Sequence, residues 1–128
     1  MGLDMYLTRT KKVATNEKSE EVGYWRKANQ IHSWFVHNCQ GGVDECQMTL
    51  VTKEKLEELL VICLDISKNK DNVSLAKKEL PTQLGFFFGG TEYDEYYYHE
   101  INETIDILKK VLAETDFEKQ TITYQSSW

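Results

Sequence analysis

Leu3-Asp4-Met5-Tyr6-Leu7-Thr8 alternates along the chain, with Leu3, Met5 and Leu7 set against Asp4, Tyr6 and Thr8. A period of two places the first three on one face of a strand and the others on the opposite face. Near the other end, Thr121 to Ser126 repeats the pattern, Ile122 and Tyr124 alternating with Thr121, Thr123 and Gln125. Two half-buried strands at opposite ends of a chain can close one sheet, and helical periodicities fill much of the sequence between them. The fold expected is therefore α+β: a small antiparallel or mixed sheet including both terminal strands, packed against about three helices. A helical bundle with a marginal hairpin is the alternative architecture.

Working inward, Arg9 to Glu21 is polar and reads as a mobile loop. Tyr24, Ala28, Ile31 and Phe35 fall at helical spacing and predict a first helix from about Tyr24 to Asn38, stopped by Gln40-Gly41-Gly42. Met48 to Val51 reads as a short strand. Thr52 is placed to cap a helix running to about Ser67, with Leu56, Leu59, Leu60, Cys63 and Ile66 as its buried stripe. Ser74 is expected to cap a short helix that ends near Leu80, because Pro81 disfavours helix in the residue before it. Thr91 and Asp94 resemble a capping box opening a long final helix, whose face is Tyr97, Ile101, Ile105, Leu108 and Leu112.

At 128 residues the chain matches one domain, 1–128, able to bury a core without disulfides or metal. No run approaches a membrane span, and the opening Met1-Gly2-Leu3-Asp4-Met5-Tyr6 has neither a secretory signal nor the serine or threonine expected at the sixth position for myristoylation. Three cysteines, Cys39, Cys46 and Cys63, fit a reducing interior, so a cytoplasmic location is expected. A net charge of −6 opposes binding to nucleic-acid polymers or anionic membranes. No cofactor motif is present. His37, Cys39 and Cys46 lack the paired spacing of a zinc site, so no metal is assigned.

Recognition chemistry concentrates in Leu80-Pro81-Thr82-Gln83-Leu84-Gly85-Phe86-Phe87-Phe88-Gly89-Gly90-Thr91-Glu92-Tyr93-Asp94-Glu95-Tyr96-Tyr97-Tyr98. Glycines admit close backbone approach and aromatics offer rigid stacking surface. Gln83, Phe88, Gly89, Gly90, Thr91 and Tyr93 are its candidate ligand contacts, although Phe86 to Phe88 also reads as a short buried strand. On the expected first helix, Trp25, Asn29 and His32 share a flank and suit either a flat ring or the rim of the core. Arg26 suits a phosphate or carboxylate, or else a surface ion pair with an acid such as Glu21 or Glu95. Tyr124 and Trp128 complete the candidate set. No nucleophile elbow, phosphate loop or HExxH spacing occurs, so no catalytic residue is assigned; were the protein an enzyme, His32 or His99 would serve as acid or base.

The opening Met1-Gly2-Leu3-Asp4-Met5-Tyr6-Leu7, the block Val22-Gly23-Tyr24-Trp25-Arg26-Lys27-Ala28-Asn29, the aromatic loop and the ending Tyr124-Gln125-Ser126-Ser127-Trp128 together resemble a family of small uncharacterised bacteriophage and prophage proteins. The resemblance implies a phage accessory protein acting in the host bacterial cytosol, where such proteins counter defence by masking host proteins or by sequestering or destroying nucleotide-derived signals. The functional expectation is binding and sequestration of a small nucleotide-like ligand, with homo-oligomerisation left open. The alternatives are an enzyme that degrades such a signal and a protein that masks a host partner.

Overall fold

Both terminal alternations become strands, and they pair with each other. The computed structural model describes residues 2–12, 19–85 and 88–128. Strand β1 (Asp4–Lys11) runs antiparallel to β4 (Gln120–Ser127), from Asp4 opposite Ser127 to Lys11 opposite Gln120. β2 (Glu20–Arg26) flanks β1, and β3 (Thr49–Val51) flanks β4, giving the antiparallel order β2-β1-β4-β3. Leu3, Met5, Leu7, Trp25, Val51, Ile122 and Tyr124 are buried, whereas Asp4, Tyr6, Thr8 and Thr10 on the alternate face of β1 are only half-buried. The architecture is α+β, with four helices among the described residues.

The helices are α1 (Asn29–Cys39), α2 (Lys53–Lys68), α3 (Val73–Glu79) and α4 (Glu95–Glu114). Thr52 caps α2 as expected, its hydroxyl accepting from Lys55 N at 3.2 Å. Leu56, Leu59, Cys63 and Ile66 bury one stripe of α2 against Tyr97, Ile101, Ile105, Leu108 and Val111 of α4 in a common core. Leu60 and Leu112, assigned to those stripes from spacing, are half-buried at their edges.

Several boundaries differ from expectation for local reasons. Tyr24 and Trp25 lie in β2, not on the first helix, because Gly23 and Trp25 face inward there while Tyr24 faces outward. A Cβ on Gly23 would sit 2.8 Å from the Ile107 Cγ2 atom, so α4 packs directly onto this strand. Lys27 then turns the chain at φ 58°, donating its N–H to Leu3 O at 2.7 Å and accepting from Asn29 N at 2.9 Å, and only then can α1 begin. The stretch read as a polar loop from Arg9 to Glu21 is strand at both ends, to Lys11 and from Glu20; residues 13–18 lie outside the described residues. Finally, Asn72 rather than Ser74 caps α3, and Asp94 rather than Thr91 caps α4, accepting from Tyr96 N and Tyr97 N at 3.1 and 3.2 Å. Of the phenylalanine run, Phe88 is a buried bend residue and Phe86 and Phe87 lie outside the described residues.

Candidate functional site

The turn at Lys27 sets the end of β2 beside two other segments, the glycine loop and the first turns of α4. Between them lies a cleft of about 280 Å³ lined by Arg26, Lys27 and Gln30, by Thr82, Gly89, Gly90 and Glu92, and by Asp94, Tyr96, Tyr97 and Glu100. This volume lies near the lower end of small-molecule sites, roughly 300–1,000 Å³. A wider hollow of about 590 Å³ has, among the described residues, only Lys11, Lys12, Asp116, Glu118, Lys119 and Gln120 in its wall. It lacks the aromatic surface and convergent backbone that orient a ligand.

Asn29 holds the loop in place. Its Nδ2 donates to Phe88 O at 3.1 Å and to Gly90 O at 2.8 Å, and its Oδ1 accepts from Gln83 N at 2.9 Å. One buried side chain therefore ties both legs of the loop to the start of α1. The loop is closed a second time, since the Tyr93 hydroxyl accepts from Thr82 N at 3.0 Å and the Thr82 hydroxyl donates to Thr91 O at 3.0 Å. Beneath it, the Tyr97 hydroxyl donates to Leu80 O at 2.8 Å. Gly89 adopts φ +88°, and a Cβ there would sit 3.0 Å from the Lys27 Cβ atom and 3.2 Å from the Lys27 carbonyl oxygen. The loop can thus press against the β2–α1 corner only with glycine at this position.

The cleft wall carries two cations, Arg26 and Lys27, and three carboxylates, Glu92, Asp94 and Glu100. Arg26 has its side chain half exposed, and Nη1 lies 3.3 Å from Asp4 Oδ1, so its surface partner is Asp4 rather than Glu21 or Glu95. Tyr96 is 78 % exposed and offers a free aromatic face. Burial and then the neighbouring charge of Glu103 push the Glu100 carboxyl up to about 8, with Asp94 adding to the rise and a hydrogen bond from the Gln30 amide opposing it. Glu100 Oε2 finds no hydrogen-bond partner among the described residues.

Of the residues singled out from sequence, Arg26, Gly89 and Gly90 line this cleft. Asn29, Gln83, Phe88, Thr91 and Tyr93 build the loop behind it through the contacts above. The remaining candidates are placed elsewhere. Trp25 is 2 % exposed and donates Nε1–H to Thr104 Oγ1 at 2.8 Å, so its indole is a core side chain with no face free for a ligand. Tyr124 is fully buried and stacks on Phe35, ring centroids 4.0 Å apart.

His32 is also fully buried, and both ring nitrogens are occupied. Nδ1 lies 2.6 Å from the Tyr124 hydroxyl and Nε2 lies 2.9 Å from Asp44 Oδ2. In the neutral ring, Nε2 donates to the Asp44 carboxylate and Nδ1 accepts from Tyr124, whose proton is held on by burial. Trp128 donates Nε1–H to Asp44 Oδ1 at 3.1 Å, extending this chain of bonds to the C-terminus. The arrangement latches the terminal residue to the loop after α1 and leaves His32 no contact with the cleft. His99 is exposed beside Glu103 at 3.7 Å. Burial pushes the thiols of Cys39 and Cys63 up to about 11 and 12, so neither presents a thiolate at neutral pH. Among the described residues, no group of three histidine, cysteine, aspartate or glutamate side chains is arranged to hold a metal ion.

Sequence reasoning missed Lys27, Gln30, Tyr96 and Glu100. Gln30 and Tyr96 were legible as neighbours of chosen residues, but Glu100 looks like any solvated helix carboxylate until its burial is known. No family model matches this chain, and comparison with curated proteins and with solved structures likewise finds no match.

Proposed function

We propose that the protein binds and sequesters a small nucleotide-like ligand in the cleft between the β2–α1 corner, the glycine loop and α4. The observation that carries this reading is the convergence of Arg26, Lys27, the Gly89–Gly90 backbone and exposed Tyr96 on one cleft. A guanidinium and an ammonium attract a phosphate, glycine backbone permits its close approach, and a tyrosine ring stacks on a base. Binding without turnover is favoured because His32 is occupied inside the core and His99 stands outside the cleft wall. The resemblance to bacteriophage proteins adds the biological setting, a phage accessory protein that withholds a nucleotide signal from a host defence system in the bacterial cytosol. No helix of the described residues is long and apolar enough to cross a membrane.

Mass spectrometry of small molecules released from the purified protein by heat tests this reading, followed by calorimetry of the released compound against wild type and Arg26→Ala. A phosphate-bearing compound recovered intact, and bound more weakly by about 1.5–3 kcal/mol in the variant, is the expected result. Product exceeding the protein concentration would instead establish an enzyme. Unchanged affinity in a normally folded Arg26→Ala variant would remove Arg26 from the site.

A further inference from the structure

Among the described residues, Lys27, Cys46 and Asp71 are the non-glycine residues with left-handed backbone, and of these Lys27 lines the cleft. At φ 58° lysine holds a conformation that glycine adopts freely and that crowds the Cβ atom of other residues. Backbone strain of this kind persists only where the surrounding structure imposes it, and it clusters at ligand sites. Here it redirects a side chain. Successive residues of a strand point to opposite faces, so an extended Lys27 would turn away from Arg26. Instead, a Cβ on Gly2 would sit 3.1 Å from Arg26 Nη2 and 3.1 Å from Lys27 Cε, so the two side chains converge above this glycine. Lys27 Cβ and Cδ lie 3.0 and 3.7 Å from where a Cβ on Gly89 would stand, which lays the lysine stem along the cleft wall.

Two like charges held side by side repel each other until an anion lies between them. Arg26 reaches Asp4 through Nη1 at 3.3 Å, which leaves Nη2 uncommitted among the described residues, and Lys27 has no carboxylate at ion-pair distance among them. Of the acids in the cleft wall, Asp94 accepts from the Tyr96 and Tyr97 amides of its own helix, Glu92 is exposed to solvent, and burial keeps the Glu100 carboxyl largely protonated at neutral pH. Resting on the cleft being the ligand site, we propose that the left-handed Lys27 builds a two-cation clamp, its ammonium and the Arg26 guanidinium closing on a single phosphate group, and that lysine stands there although glycine would give the more stable fold.

Titration of the full chain with inorganic phosphate, followed by amide NMR, tests the clamp, together with thermal unfolding of each variant. Phosphate should bind wild type saturably and shift the Lys27 and Gly90 amide signals. Lys27→Met keeps the stem along Gly89 and removes only the charge; this variant and Arg26→Ala should each bind phosphate about tenfold or more weakly. Lys27→Gly should show the same loss of affinity and melt about 2–5 °C higher than wild type. Phosphate binding that is absent from wild type, or unchanged in Lys27→Met, would overturn the clamp. An equal or lower melting temperature in Lys27→Gly would overturn the claim that lysine is kept against stability. AMP separates this inference from the sequestration reading: equal AMP affinity in wild type and Lys27→Met would refute the clamp and leave the cleft as the ligand site. Phosphate held by the clamp, with AMP bound no more tightly than phosphate, would keep the clamp and overturn the nucleotide reading.

Discussion

Replacing Asn29 by alanine tests how the glycine loop is held. The side chain is 2 % exposed and makes three hydrogen bonds, to the Phe88 and Gly90 carbonyls and from the Gln83 amide. Truncation orphans all three groups, but Gly90 is exposed and water can replace its partner. Phe88 is buried and Gln83 half-buried, so the cost rests chiefly on those two groups. At about 1–3 kcal/mol for each buried group left unpaired, and with partial rescue at Gln83, the variant should lose about 2–4 kcal/mol. Asn29→Asp should be no better, since it keeps the acceptor for Gln83 but sets an oxygen against two carbonyls. Urea denaturation gives the stability change, and hydrogen exchange at the Gln83 amide reports whether the loop has detached. A loss below about 0.5 kcal/mol, the range of ordinary surface substitutions, with unchanged exchange at Gln83 would refute the account of Asn29 as the loop's anchor.

Gly89→Ala forces a side chain into the left-handed region and against Lys27, and should cost about 1–3 kcal/mol by thermal or chemical denaturation; equal stability would mean that the loop does not need its close approach. Thr104→Val leaves the buried Trp25 Nε1–H without its acceptor and should destabilise by about 1–3 kcal/mol, with a shift in tryptophan fluorescence; a neutral effect would show that the indole finds another partner. Glu100 gives a pH signature. Its folded-state value is raised from 4.5 to about 8, so its contribution to stability is complete below about pH 4.5, declines as pH rises and is lost above about 8. Across that window wild type should lose stability relative to Glu100→Gln, and parallel stability curves would contradict the raised value.

The pairing of the two chain ends with each other is a contact between segments far apart in sequence. Strand alternation in Leu3–Leu7 and Thr121–Ser126 was enough to mark both ends as half-buried strands, because a period of two is a property of local backbone geometry. The same holds for α2, whose cap and buried stripe are read directly from Thr52 and the leucine spacing. Tyr24 and Trp25 show where local reading ends. Their spacing to Ala28 and Ile31 is helical, yet the left-handed turn at Lys27 and the descent of α4 onto Gly23 assign them to β2. Both are consequences of contacts between segments far apart in sequence. For the site, the chemistry of Arg26 and of the glycines was legible, since a planar cation and permissive backbone carry their uses with them. Whether Trp25, His32 and Tyr124 face a ligand or the core was decided only by tertiary structure, through hydrogen-bond partners at Thr104 and Asp44 that no spacing rule connects to them. Glu100 depends on the fold in the same way, because the desolvation that distinguishes it from the other helix carboxylates exists only once α1 and the loop have closed around it.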